Sequence, residues 1–367
     1  MPRHLTDRPA RILFCSWAFP PSIGGIETSS LILVNQMIRN GLHVEVLTWT
    51  PDSGDKTVFP YPVHRRPSPF QLLRLVRSCD LVYQNNISLN TLWPLLLIRR
   101  PVVITNQTPI DATIERSKLK RKLKFVAMRF ATACTSCSQY LANTFPVPSH
   151  AIHNPYRSDI FRPSTSPQPR DKELIFVGRL VQAKGLDILI HAMKLLRDRS
   201  ITPALTVVGG GAEEEKMRAL VADFDLGAQV TFLGSRQPQQ IAELLHRHRI
   251  MVVPSRRQPA EAFGIVALEG VACGAVPVVA EQGGLPEAIG PCGLTFETEN
   301  PVALADTLQR ILADPELESY LRNRAPEHVA QFEESVIFQK YLAILQRALP
   351  AFHLLGNPSE VAPNTLK

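Results

Sequence analysis

Glu261 and Glu269 stand eight residues apart in "EAFGIVALEGVACGAVPVV" (261–279). The first precedes a glycine, and the second lies in a run with the apolar spacing of a short helix ending near Gly274. The pair therefore flanks a helix start, where the backbone N–H groups around Phe263, Gly264 and Ile265 lack acceptors within the helix and a glycine permits close approach. Such a start suits a phosphate, and each acid could accept hydrogen bonds from the hydroxyls of a sugar ring on its own side. The spacing predicts a site for a nucleotide diphosphate-sugar. "FVGRLVQAKG" adds Arg179 and Lys184 on the turn after a strand, two cations able to converge on one polyphosphate. "VVGGGAEEE" places Gly209, Gly210 and Gly211 on a second strand-to-helix turn, and "PPSIGGIET" places Gly24 and Gly25 after the first strand. Taken alone, Glu261 as a solvated loop acid and Glu269 in a local salt bridge is the commoner outcome. Four loops aimed at one polyanion weigh against it.

These loops need a scaffold. "RILFCSW", "HVEVLTW", "CDLVYQNN", "PVVITNQ" and "ACTSCS" read as strands, with a helix over "GGIETSSLILVNQMIRNG" completing a first βαβ unit. A Pro- and Ser-rich stretch follows, and the rhythm restarts at "ELIFVGRL" and runs to "GAVPVVAE". The expected organisation is a doubly wound domain over 1–155, a linker over 156–170 that could serve as a hinge, and a second doubly wound domain over 171–331. A helix over 332–350 packs back toward the first domain, and a tail covers 351–367. Two such α/β domains leave a cleft between the carboxyl ends of their sheets.

Composition narrows the function classes. The 367 residues hold no apolar run near the ~20 needed to span a bilayer, and the N-terminus lacks the pattern of a secretory signal. The six cysteines sit mostly in apolar surroundings, as reduced core thiols do, so a cytoplasmic setting is expected. Cys134 and Cys137 form a CxxC without a second pair at metal-ligand spacing; packing is the leading reading, with redox or zinc chemistry as alternatives. Lys and Arg outnumber Asp and Glu by 19 to 9 over 1–160, against 21 to 24 over 161–367. Much of the excess lies in "ERSKLKRKLKFVAMRF" (115–130), which on a helix is either a solvated basic face or a peripheral contact with an anionic membrane. Nucleic acid is disfavoured, because no aromatic interleaving or nucleic-acid motif accompanies the charge.

In order, "GGIE", "GRLVQAKG", "VVGGG", "VTFLG", "VPSRRQPAEAFGIVALEGVACGAVPVVA" and "GGLPEAI" resemble the signature series of glycosyltransferase family 4, the retaining group 1 enzymes of GT-B fold. The resemblance implies two Rossmann-like domains facing across a cleft and transfer of a hexosyl-type sugar from a nucleotide diphosphate-sugar to a glycan, lipid-linked or small-molecule acceptor. It implies that Arg179 and Lys184 neutralise the donor diphosphate. Glu269 would bind the ribose hydroxyls, and Glu261 the hydroxyls of the transferred sugar. Phe263, Gly264 and Ile265 would lie nearby, with Gly25 against the phosphates; Gly24, Gly209 and Gly210, read from their glycine turns, join them as donor-binding candidates. No cofactor and no metal are implied, since no DxD-like pair stands out. Many members carry a histidine in a T-x-H context on the first domain; "VITNQTP" instead offers Asn106 and Gln107 as acceptor-side candidates. Rival readings are a nucleotide-sugar epimerase of the same fold and a catalytically impaired nucleotide-sugar-binding protein. A nicotinamide oxidoreductase is disfavoured, because "SIGGIE" is not a GxGxxG.

Overall fold

The computed structural model describes residues 8–22, 24–52, 58–112, 114–165 and 169–352. The chain divides into two units, one comprising Met1–Pro155 and Glu334–Lys367, the other Tyr156–Glu333. The expected tail over 351–367 lies almost wholly outside the described residues.

The first unit holds strands β1 (Arg11–Ser16), β2 (His43–Thr48), β3 (Val63–Arg65), β4 (Leu81–Asn85), β5 (Val102–Asn106), β6 (Ala133–Ser136) and β7 (His150–Ala151). Its helices are α1 (Gly25–Arg39), α2 (Pro69–Ser78), α3 (Leu89–Leu92), α4 (Lys118–Arg129) and α5 (Gln139–Asn143). The strands pair in parallel in the order β3-β2-β1-β4-β5-β6-β7. β4 and β5 are buried at every residue, the pattern of parallel strands covered on both faces. β3 and β7, of three and two residues, are too short to show a period in sequence.

The second unit holds β8 (Lys172–Val177), β9 (Leu205–Val208), β10 (Val230–Gly234), β11 (His248–Val253), β12 (Val276–Ala280) and β13 (Leu294–Phe296). Between and after them run α6 (Leu186–Asp198), α7 (Glu214–Asp223), α8 (Pro238–Arg247), α9 (Ile265–Ala272), α10 (Leu285–Ile289), α11 (Pro301–Ala313), α12 (Pro315–Asn323) and α13 (Ala325–Ala330). All its strand pairs are parallel, in the order β10-β9-β8-β11-β12-β13. Connections run outward in one direction from β8 and in the other from β11, so a crevice opens beyond the carboxyl ends of these two strands. The first unit has the same reversal between β1 and β4. Residues 301–330, not resolved into elements from sequence, form three helices, each with a proline in its first two positions.

The last helix among the described residues, α14 (Glu334–Ala348), belongs to the first unit and buries Ile337, Phe338, Tyr341, Leu342, Ile344 and Leu345 there. Tyr341 meets Tyr83 edge-on at 6.3 Å, and Tyr83 stacks on Phe14 at 5.0 Å. Burial of the Phe14 ring alone stabilises by about 1.5–3 kcal/mol. The stretch 156–170, read as a linker, belongs to the second unit, and its described part is packed into it. Tyr156 and Phe161 are buried, and Arg170 donates to the carbonyls of Leu245, His248 and Cys273 at 2.8, 2.7 and 2.5 Å. Among the described residues no helix is long and apolar enough to cross a membrane. All six cysteines are free and buried; burial pushes the Cys134 thiol up to about 11. No group of three His, Cys, Asp or Glu is arranged to hold a metal ion among the described residues.

Candidate functional site

In the second unit the loops after β8, β9, β11 and β12 are tied together. After β8, Gly178 N–H donates to Val208 O at 3.0 Å and Leu180 N–H to Gly210 O at 2.9 Å, holding the Arg179 loop on the glycine turn after β9. The contact is so close that a Cβ on Gly209, at φ +135°, would lie 1.8 Å from Gly178 O. Only glycine fits there. Gly185, at φ +66°, packs on Pro254 O, and Arg256 N–H donates to Ala183 O at 2.9 Å, so the Lys184 turn meets the loop after β11. The Arg256 guanidinium reinforces that meeting through Asp187 and, at 3.1 Å, Glu299.

This scaffold brings two of the predicted side chains into direct contact. Lys184 Nζ donates to Glu261 Oε2 at 2.6 Å, both side chains half-buried, and Ser255 Oγ donates to the same oxygen at 3.2 Å. The Glu261 backbone is held as well: its N–H donates to Gln282 Oε1 at 3.1 Å, and its carbonyl accepts from Gly284 N–H at 2.9 Å. Gln282 and Ser255 were not singled out from sequence. Gln282 lies in the "QGGLPEAI" turn, and only the fold carries that turn onto Glu261. Gln282 Nε2 is buried without a protein partner among the described residues. Arg179, on the loop after β8, is exposed.

The helix after Gly264 begins at Ile265, so its first-turn amides are those of Ile265 and Val266, and Gly264 takes φ +98°. Phe263 is 1% exposed and packs on Phe332 at 5.7 Å between ring centroids, so its side chain is a core anchor. Glu269 lies on the second turn of α9, half-buried, without a direct contact to Glu261 or Lys184. Desolvation pushes its carboxyl up to about 8, against the opposing pull of the Arg157 guanidinium. Arg157, itself paired with Asp159 at 2.6 Å, is a further residue that sequence reasoning missed, because it sits 112 positions before Glu269.

The first unit holds the remaining candidates. Gly24 precedes α1 in extended backbone, and a Cβ on it would come 2.6 Å from Glu27 Oε2. The anion resting on this helix start is thus the chain's own carboxylate, favoured there by the helix dipole. Gly25 is the first helical residue and is exposed. Asn106 is 0% and Gln107 4% exposed. Gln107 Nε2 donates to Asn85 Oδ1 at 3.1 Å, and its Oε1 accepts from Asn154 Nδ2 at 2.7 Å. Asn85 Nδ2 donates onward to Ser30 Oγ at 2.6 Å, and Ser30 meets Ser16 at 3.0 Å. Both ends of the Gln107 carboxamide therefore hold protein partners, Asn85 at the carboxyl end of β4 and Asn154 beyond β7. Asn106 Nδ2 donates to Thr135 O at 3.2 Å, while its Oδ1 is buried without a protein partner among the described residues.

Residues 158–328 match the family described as Glycosyl transferases group 1. A D-inositol 3-phosphate glycosyltransferase of Corynebacterium jeikeium is 33% identical over 193 residues, covering 50% of this chain and 45% of that protein. The chain spans about half the length of the curated relatives it matches. Among solved structures, sucrose-phosphate synthase from Thermosynechococcus elongatus superposes with a TM-score of 0.79 at 22% identity, covering 93% of this chain and 100% of that one. Anabaena HepE in complex with UDP and glucose superposes with a TM-score of 0.74 at 21% identity, covering 91% and 99%. At these identities the likeness is one of fold, the paired Rossmann-like architecture of GT-B.

Proposed function

We propose that this chain, whose residues 158–328 match the group 1 glycosyltransferase family, transfers a hexosyl-type sugar from a nucleotide diphosphate-sugar to a glycan, lipid-linked or small-molecule acceptor with retention of anomeric configuration. The observation that carries this reading is the joining of four loops around Lys184 and Glu261 at the β8/β11 switch point. Lys184 has three N–H donors, so it can hold Glu261 and still take a phosphate oxygen. Arg179 adds a second cation, and the amides of Ile265 and Val266 add dipoles directed at the departing diphosphate. Charge on the leaving group is thereby offset by the chain's own groups, which is the basis for proposing a metal-independent reaction without a cofactor. In a front-side displacement the departing diphosphate helps take the acceptor's proton. Glu261 would then orient the transferred sugar through its hydroxyls, and Glu269 the ribose. The chain would work in the cytoplasm, at the membrane face where a lipid-linked acceptor is presented.

The test is a panel of nucleotide diphosphate-sugars scored for protection against thermal unfolding, since a ligand that binds only the folded state raises its stability by mass action. One or more should raise the melting temperature. Glu269→Ala should abolish the best ligand's shift, and Arg179→Ala should weaken every diphosphate ligand alike, by about tenfold in affinity. A panel without a single stabilising donor, or shifts unchanged in both variants, would sink the proposal. The binding-only reading draws support from the engaged Gln107 carboxamide; donor protection without sugar transfer to any acceptor would favour it.

A further inference from the structure

The basic segment read as amphipathic turns its apolar side outward. In α4, Leu119, Leu123 and Val126, with Phe130 just beyond its last residue, fall within about a 60° arc at ~100° per residue. They are 67%, 46%, 47% and 82% exposed, whereas Met128 is the helix residue that is buried. The opposite side carries buried Met128 and half-buried Phe125, with polar ties to the residues just before the helix. Arg121 donates to Glu115 O at 2.7 Å, Lys124 pairs with Glu115 at 3.3 Å, and Ser117 caps the helix from Lys120 N–H at 3.3 Å. An ordinary surface helix has the reverse arrangement. The turn following α3, which packs on α4, adds Leu96 and Leu97 at 88% and 72% exposure.

We infer that α4 is a membrane-docking helix that seats this stripe in the interfacial layer of a bilayer containing anionic phospholipid. Charge selects that occupant. Six cations and no acid lie within Lys118–Arg129, and Lys118, Lys120, Lys122 and Arg129 are exposed. Arg129 also lines a cavity of about 370 Å³ together with Arg347, extending the cationic surface past the helix end. A second copy of this helix would bring six cations against six, which disfavours self-pairing. Lysine stems can lie along the stripe while their ammonium groups reach the phosphates. The inference is independent of the donor chemistry.

The full chain is floated with vesicles of phosphatidylcholine alone or mixed with phosphatidylglycerol. It should float with the mixed vesicles, far less with the neutral ones, and less as salt rises. Replacing Lys118, Lys120 and Lys122 by Gln should weaken partitioning by about fivefold per charge removed. A triple variant, Leu119→Ser, Leu123→Ser and Phe130→Ser, should weaken it at least tenfold with its melting temperature unchanged, because these side chains are exposed. Equal flotation with both vesicle types, or flotation of either variant equal to that of the wild type, overturns the inference. Self-association of the wild type that the serine variant abolishes would overturn it in favour of a second copy.

Discussion

Glu269 offers a direct measurement of how dry the candidate ribose site is. Its carboxyl is raised from 4.5 to about 8 by desolvation. The folded chain therefore keeps this proton between those two values while the unfolded chain has released it, and folding stability falls as pH rises from about 4.5 to 8. Below 4.5 both states are protonated, and above 8 both are ionised, so the dependence flattens at each end. At about 1.4 kcal/mol per tenfold, the ceiling is roughly 5 kcal/mol. Residual solvent contact of the half-buried side chain reduces it, and about 2–3 kcal/mol is expected. Glu269→Gln keeps the shape of the side chain and removes the titration. Urea unfolding of wild type and variant between pH 5 and 9 isolates the effect: the wild type should lose stability relative to the variant as pH rises, and the gap should level off above pH 8. A gap constant to within about 0.5 kcal/mol across the window would mean that Glu269 is ionised and solvated, and the picture of a dry acid beside α9 would be wrong.

Gly209→Ala should destabilise the second unit by about 3 kcal/mol or more, since the new Cβ meets Gly178 O at 1.8 Å and φ is +135°; limited proteolysis confined to Tyr156–Glu333 would register it. Gln107→Ala should cost about 1–3 kcal/mol by leaving Asn85 and Asn154 buried with unmet hydrogen bonds, seen as an earlier chemical unfolding transition of the first unit.

The α/β class, the two domain-sized rhythms and the loops that carry chemistry are set by short-range physics. A parallel strand covered on both faces must read as an apolar run, and a turn that brings two backbones within contact must carry glycine, so β4, β8 and Gly209 are legible one segment at a time. Partnership across the chain is a different kind of information. That Lys184 grips Glu261, that Gln282 holds Glu261 by its amide, and that Arg157 faces Glu269 depend on which strands become neighbours at β8, β11 and β12, pairings that no local period encodes. Gln107 is an acceptor-side candidate by its place in the chain, and only the strand order brings Asn85 and Asn154 to the two ends of its amide. The outward turn of α4 was also undetermined by its period. A 3.6-residue repeat fixes which residues share a face, but only the packing of Met128 and the polar ties to Glu115 decide which face looks to solvent.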